Sequence, residues 1–329
     1  MAGKARDFDS RLAQYARWKR FFNKLITAGL ILLVPMIVVA LLVIAFHMEV
    51  LKTPLFVLVC ILFPLIVIGA VGDMIVGGKA KKLAAGFTPT VLARVMDRLD
   101  KYDHEVSVSD DYIRQELGYP FYDRIGERSD YVKGVLRGIP LEMGEFSLEK
   151  RTSERDEDGN VSYSWDTVFE GLMVVCRHGM ELSNDFTITQ YMSVLGGLKT
   201  ESEDFNRAFS ITTRAEHEAF YLLTPHYMET LLRLTAEKGS IFGMRFMHDG
   251  TLLLTLRGWD LFEVGDTTNS AELSEKLERE LMELGDLLEA LEIPREGENI
   301  PMGKRGEDRN DETGKRPPDR DHRGREDKR

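Results

Sequence analysis

The sequence predicts an α+β protein: an N-terminal two-helix transmembrane hairpin, then one cytosolic domain of mainly antiparallel sheet packed with helices, and a disordered C-terminal tail. Three observations carry this. Residues 25–46 (LITAGLILLVPMIVVALLVIAF) contain no charge, and residues 55–76 (LFVLVCILFPLIVIGAVGDMIV) contain only Asp73. Strand-like and helix-like periodicities then intermingle between turn signals from residue 88 to 292. The last 35 residues, 295–329, are almost devoid of apolar side chains.

Each apolar run spans about 33 Å as a helix, enough for a hydrocarbon core of about 30 Å. The connection at 47–54 makes the two helices an antiparallel pair. The first run is too long for a signal-peptide core, and no A-x-A-like site follows it. Lys4, Arg6, Arg11, Arg17, Lys19, Arg20 and Lys24 precede the first run, and Lys79, Lys81 and Lys82 follow the second. The loop offers only Lys52, so the positive-inside rule puts both termini in the cytoplasm.

Within the spans, Ala28 and Gly29 are expected level with Gly69, Ala70 and Gly72, allowing close approach. Pro35 and Pro64 fall near mid-span. Asp73 lies near the boundary, where reaching water or pairing with Lys24 is the simpler reading and a functional acid the sharper one. Residues 1–24 form a basic amphipathic juxtamembrane segment, with Phe8, Leu12 and Tyr15 on one face suited to a lipid surface. Trp18, Phe21 and Phe22 sit where an aromatic belt would be.

Beyond a basic linker at 77–87, residues 88–100 read as a helix through Val91, Leu92, Val95 and Leu99, with Thr88 as cap and Pro89 in the first turn. Residues 109–117 read as a second short helix stopped by Gly118. Strands are expected over 131–138, 141–150, 163–177, 186–190 and 209–212, with 151–160 a polar hairpin tip. Thr224-Pro225 opens a helix that Gly239 stops, Asp249-Gly250 turns a hairpin over 241–258, and leucines from Leu273 to Leu291 mark a last helix. The stretch 293–329 cannot bury enough surface to offset chain entropy and is expected to be disordered.

Charge is unevenly distributed. Residues 1–82 hold 11 Lys/Arg against 4 Asp/Glu, and residues 295–329 hold 11 against 10. The whole chain has 43 and 54, which leaves 21 basic and 40 acidic residues for 83–294. A domain with that surplus repels phosphate backbones, so nucleic acid is not an expected partner. Two cysteines, Cys60 and Cys176, give neither a disulfide framework nor a zinc spacing.

No motif assigns a catalytic, cofactor-binding or metal-ligating residue. His217-Glu218 begins an HExxH-like string, but Tyr221 stands where the second imidazole is needed. His178 two residues after Cys176, and His226 at a helix start, lack further ligands in sequence. Gly77-Gly78-Lys79 lacks the spacing of a phosphate loop. Acidic groups such as Glu201/Glu203/Asp204 and Asp156–Asp158 read as solvated faces.

Three stretches carry a resemblance: the strand with Phe169-Glu170-Gly171, the helix in which Glu201 leads to Phe205 and Phe209, and the step Tyr221-Leu222-Leu223-Thr224-Pro225. With the 241–263 hairpin they resemble a bacterial family known as the domain of unknown function numbered 3137. The likeness covers about residues 85–265, and the paired spans are similar too. The family's acidic residue after the strand that follows the second Phe is replaced here by Thr213-Arg214. The resemblance implies a multi-pass protein of the bacterial inner (plasma) membrane with a cytosolic α+β domain and no assigned activity or cofactor.

The favoured function is a non-enzymatic interaction, scaffold or regulatory module whose partners are the lipid bilayer and other proteins. The alternatives are a membrane-linked enzyme assembling His178, His217, His226 and nearby carboxylates, and a subunit of a channel or transporter assembly. Oligomeric state is not legible.

Overall fold

The computed structural model describes residues 2–45, 49–117, 121–155, 160–190, 197–214, 216–238 and 241–298. It opens with two long helices, α1 (Ala2–Ala45) and α2 (Glu49–Ala85). Both are long and apolar enough to cross a membrane, and only 11% of each apolar window is buried. Ile31, Val34 and Phe63 stay more than half exposed, whereas the core helix of a soluble protein would enclose such side chains.

The helices meet at the expected glycines, but small residues face large ones. A Cβ on Gly29 would strike Ile66, one on Gly72 would strike the Phe22 ring, and one on Gly69 would lie 2.8 Å from Ile26. No ion pair joins Asp73 to Lys24; Asp73 Oδ1 is enclosed without a hydrogen-bond partner among the described residues.

Two expectations for the flanking segments need correction. The 77–87 stretch is not a loose linker: α2 stays helical through Gly77 and Gly78 to Ala85. The apolar face of the N-terminal segment does not lie on lipid. Leu12 is fully buried against Ala80, Ala84, Val264 and Leu273, with Phe8 and Tyr15 packed beside it. This docking supplies the burial that keeps a glycine-containing helix end folded.

The domain follows as α3 (Thr88–Val95), β1 (Arg98–Asp103), α4 (Asp110–Leu117), β2 (Arg124–Leu136), β3 (Ile139–Arg155), β4 (Val161–Arg177) and β5 (Phe186–Gln190). Then come α5 (Glu203–Ala208), β6 (Phe209–Thr213), α6 (Glu216–Leu222), α7 (Pro225–Lys238), β7 (Ile241–Phe246), β8 (Thr251–Arg257) and α8 (Ser270–Ala290). The strands form one eight-stranded sheet in the order β1-β2-β3-β4-β8-β7-β5-β6. Every pairing is antiparallel. The chain therefore has the α+β class expected of it.

Alternation along the strands divides two cores. Met143, Val174 and Leu254 face a large core closed by α3, α7 and the leucine stripe of α8. Phe146, Met173 and Leu253 face a smaller one with Ile113 of α4 and Tyr122.

Local signals place several elements well. Thr224 Oγ1 accepts the Tyr227 N–H at 3.2 Å and caps α7. Asp249 accepts the Thr251 N–H at 2.8 Å, and Gly250 takes a positive φ in the β7–β8 turn. Three elements differ from expectation. The 88–100 helix stops at Val95, because the following residues pair with β2 as an edge strand. Thr88 does not cap it; its hydroxyl donates to the Ala84 carbonyl at 3.1 Å. Phe205 and Phe209 stack at 4.9 Å, but α5 ends between them and Phe209 opens β6. The acids at 156–158, the stops at Gly118 and Gly239, and the tail beyond residue 298 lie outside the described residues.

Gly171 explains its place in the Phe169-Glu170-Gly171 string. It sits opposite Arg257, and a Cβ there would collide with the Leu256 carbonyl oxygen. Gly171→Ala is expected to lower unfolding stability by about 2 kcal/mol, the scale of an overpacked interior. A denaturant midpoint equal to wild type would contradict that close approach.

Candidate functional site

A cluster of enclosed charge lies where α2 meets the sheet. Lys81, near the C-terminal end of α2, runs its stem along the junction and sends its ammonium between β2 and β3. Nζ donates to Ser129 Oγ at 3.1 Å. It also lies 3.3 Å from Glu145 Oε2 and 3.5 Å from Asp130 Oδ2.

Both carboxylates are placed by strand geometry. Glu145 follows Leu141 and Met143 at alternate, inward positions of β3, so its side chain is carried into the interior. Asp130 sits at an irregularity where the β2–β3 register shifts between Ser129 and Val132. Its φ of 59° lies in the left-handed region, which aspartate tolerates better than most residues. Oδ1 of Asp130 accepts the Tyr102 hydroxyl at 2.8 Å and meets His104 Nδ1 at 2.8 Å, so that nitrogen carries the proton. Glu145 Oε1 accepts the Phe262 N–H at 3.0 Å.

Electrostatics follow from enclosure. Burial alone would lower the Lys81 pKa, but Glu145, Asp130 and Asp260 together outweigh it and hold the ammonium above its ordinary value. Burial, reinforced by repulsion from Asp260, pushes the Glu145 carboxyl up to about 9 against the pull of Lys81. Burial and the adjacent Asp130 raise the Tyr102 hydroxyl as well. Next door, burial raises Glu280 to about 7. The arrangement is a charge and hydrogen-bond network that ties a helix end to two strands and the 260–262 loop. A second tie joins the hairpin to the domain: Asp9 of α1 accepts the Ser270 N–H at the start of α8, at 2.8 Å.

The residues considered from sequence lie elsewhere. His178 is buried on β4's C-terminal flank, where Nε2 meets the Met247 carbonyl at 2.7 Å and Nδ1 accepts the Met180 N–H at 3.1 Å. His217 is exposed on α6, its ring 6.5 Å from Tyr221, and His226 is exposed at the start of α7. The structure does not draw these three histidines into one shared environment. Burial pushes the Cys176 thiol up to about 12, while Cys60 is exposed on the apolar surface of α2. Among the described residues no group of three or more His, Cys, Asp or Glu could hold a metal ion. Sequence reading missed the junction because Lys81 figured only as a topology signal. The available hint was Glu145, an acid at a core-facing position of an alternating strand.

The network sets a pH dependence. Between the ordinary carboxyl value of 4.5 and about 9, folded Glu145 binds a proton that the unfolded chain does not. Its contribution to stability is therefore fully present at low pH and is lost as pH rises through about 9. Glu145→Gln, neutral at every pH, is expected to flatten that decline in urea midpoints measured from pH 5 to 9. An unchanged slope would contradict the assignment. Lys81→Met, which leaves Asp130 and Glu145 without their cation, is expected to cost about 2 kcal/mol in the same assay. That figure is reduced from the range for a fully buried pair because the ammonium stem is partly solvated.

Residues 163–293 match the family model described as "Protein of unknown function (DUF3137)". The match runs from β4 past the end of α8, and so includes Gly171, Phe205, Phe209 and the Tyr221–Pro225 step; the 85–162 stretch lies outside it. Among curated proteins no sequence matches the chain. One solved structure aligns with it, the crystal structure of the mycobacterial trehalose monomycolate transport factor A, TtfA. The identity is 11%, the alignment covers 67% of this chain and 98% of that one, and the TM-score is 0.30. At that score the likeness carries no argument about fold or transport. Over residues 163–293 the chain is thus similar to the DUF3137 family of proteins of unknown function.

Proposed function

We propose that the protein is a membrane-anchored, non-enzymatic interaction or regulatory module that presents its α+β domain at the cytoplasmic face of a bacterial plasma membrane in a fixed orientation. The observation that carries this reading is the junction. The anchor helices run unbroken into the domain and are fastened there by Lys81 with Asp130 and Glu145, and by Asp9 with Ser270. A tether that merely retained a domain near a membrane would need no such lock.

The membrane part of the reading is supported by the outward-facing apolar side chains of α1 and α2. Basic residues at both ends of the hairpin support cytoplasmic termini. The acidic domain favours protein partners over nucleic acid.

Two measurements test the proposal. In a background lacking Cys60 and Cys176, Lys52→Cys is expected to react with an impermeant maleimide in intact cells, and Ser153→Cys only after lysis. The reverse pattern would overturn the topology. Capture of the tagged chain from native membranes in mild detergent is expected to bring down a protein partner, and a chain lacking residues 88–292 is expected to lose it. Recovery of the full chain alone would count against an interaction module.

A further inference from the structure

Between the base of the hairpin and the 260–267 loop lies a cavity of about 170 Å³, lined among others by Tyr15, Lys19, Gly77, Lys81, Asp260 and Val264. Its depth follows from the helices. Lys19 lies six residues, about 9 Å of helix, before the first apolar run, and Gly77 directly follows the second. One end of the cavity is therefore level with lipid head groups, and the other reaches into the domain.

Three features of this cavity lack an explanation within the chain. Gly77 sits inside a helix, where glycine costs roughly 0.5–1 kcal/mol relative to alanine. Gly29, Gly69 and Gly72 each admit a close neighbour, but a Cβ on Gly77 would meet nothing within 4 Å. Lys19 is half-buried and has no hydrogen-bond or ion-pair partner among the described residues. Asp260 Oδ1 is enclosed and has no hydrogen-bond partner among them. The other charges on the wall are engaged: Lys81 with Glu145 and Asp130, and Glu263 with Lys276 at 3.8 Å.

We infer that this cavity binds the phosphoethanolamine head group of a membrane lipid, its phosphate at Lys19 and its ammonium at Asp260, with the space over Gly77 taken by the head group. The inference rests on the membrane anchoring proposed above. The wall charges that lack a hydrogen-bond partner are Lys19, toward the membrane, and Asp260 Oδ1, toward the cytosol, where the Lys81 ammonium acts on Asp260 only through space. A phosphoethanolamine lipid presents the complementary pair in that order, phosphate nearer the hydrocarbon and amine farther out. Its ammonium donates hydrogen bonds to a carboxylate, which a choline head group cannot do. A glycerol head group offers Asp260 neutral hydroxyls in place of a charge-assisted bond.

The test uses the full chain in nanodiscs of phosphatidylcholine mixed with either phosphatidylethanolamine or phosphatidylglycerol. Native mass spectrometry reads the lipid retained on release. One phosphatidylethanolamine per chain is expected, held about tenfold more strongly than phosphatidylcholine, the scale of a charge-assisted hydrogen bond. Gly77→Leu fills the cavity and is expected to abolish retention; Lys19→Gln and Asp260→Asn are each expected to weaken it about tenfold. Asp260→Asn lies outside the helices, so it reports even where Gly77→Leu disturbs insertion. Equal retention of phosphatidylcholine or phosphatidylglycerol, or retention indifferent to Asp260→Asn, overturns the inference. So does binding of soluble phosphoethanolamine without binding of the lipid. A chain that enters discs but shows no preference sinks this inference alone, whereas a chain that never enters them sinks the anchoring with it.

Discussion

The Lys81 ammonium, held between the acidic side chains of Asp130 and Glu145, constrains everything around it. Lys81 must reach the interior from a helix, so α2 has to stay helical well past its apolar run. Asp130 must turn inward from a strand that is otherwise regular, so β2 accepts an irregular register and a left-handed residue. Glu145 must displace an apolar side chain from the inner face of β3. Burying charge is expensive, and such groups persist where every partner is in place. Tyr102 and His104 at the end of β1, Ser129 of β2 and the Phe262 amide add hydrogen bonds to the set. The network therefore works as a register mark: it is satisfied in one relative placement of hairpin and sheet.

The apolar contacts beside it act in the same direction but with less discrimination. Leu12, Ala80, Ala84, Val264 and Leu273 form a small cluster separate from the two cores of the sheet. Hydrophobic packing of this kind favours contact without fixing rotation. Charge fixes the angle and apolar burial supplies the adhesion. Helix α8 extends this arrangement across the domain: its first turn is held by Asp9, and near its last turn Asp286 and Glu289 meet Arg137 at 2.6 and 3.1 Å. Helix α8 is thus fastened at both ends, to the hairpin at one and to the β2–β3 turn at the other.

Much of the fold was legible because its signals are local. The uncharged runs, the Thr224-Pro225 start, the Asp249-Gly250 turn and the leucine stripe of α8 each need only a few neighbouring residues. The errors arose where distant partners override local preference. Leu99 fits a helical spacing with Val91, Leu92 and Val95, yet Arg98 pairs with Val135 and draws the segment into an edge strand. The 77–87 stretch reads as a basic linker by composition, but docking of Ala80 and Ala84 accompanies a helix that continues to Ala85. The β3–β4 ribbon continues to Arg155 and from Val161, with polar residues on both faces that give no alternation to read. The junction was least legible of all. Glu145 was visible as a misplaced acid, but its cation stands 64 residues earlier, and no spacing rule connects them.

The central claim is that anchor and domain form one body with no flexible linker between them. Pulsed electron–electron resonance between spin labels tests it most directly, with labels at the exposed positions Lys24 on α1 and Glu229 on α7, in full-length protein lacking Cys60 and held in nanodiscs. The account predicts a single narrow distance distribution that broadens when Lys81→Met is introduced. A broad distribution in the chain that retains Lys81, as a free 77–87 linker would give, would contradict it.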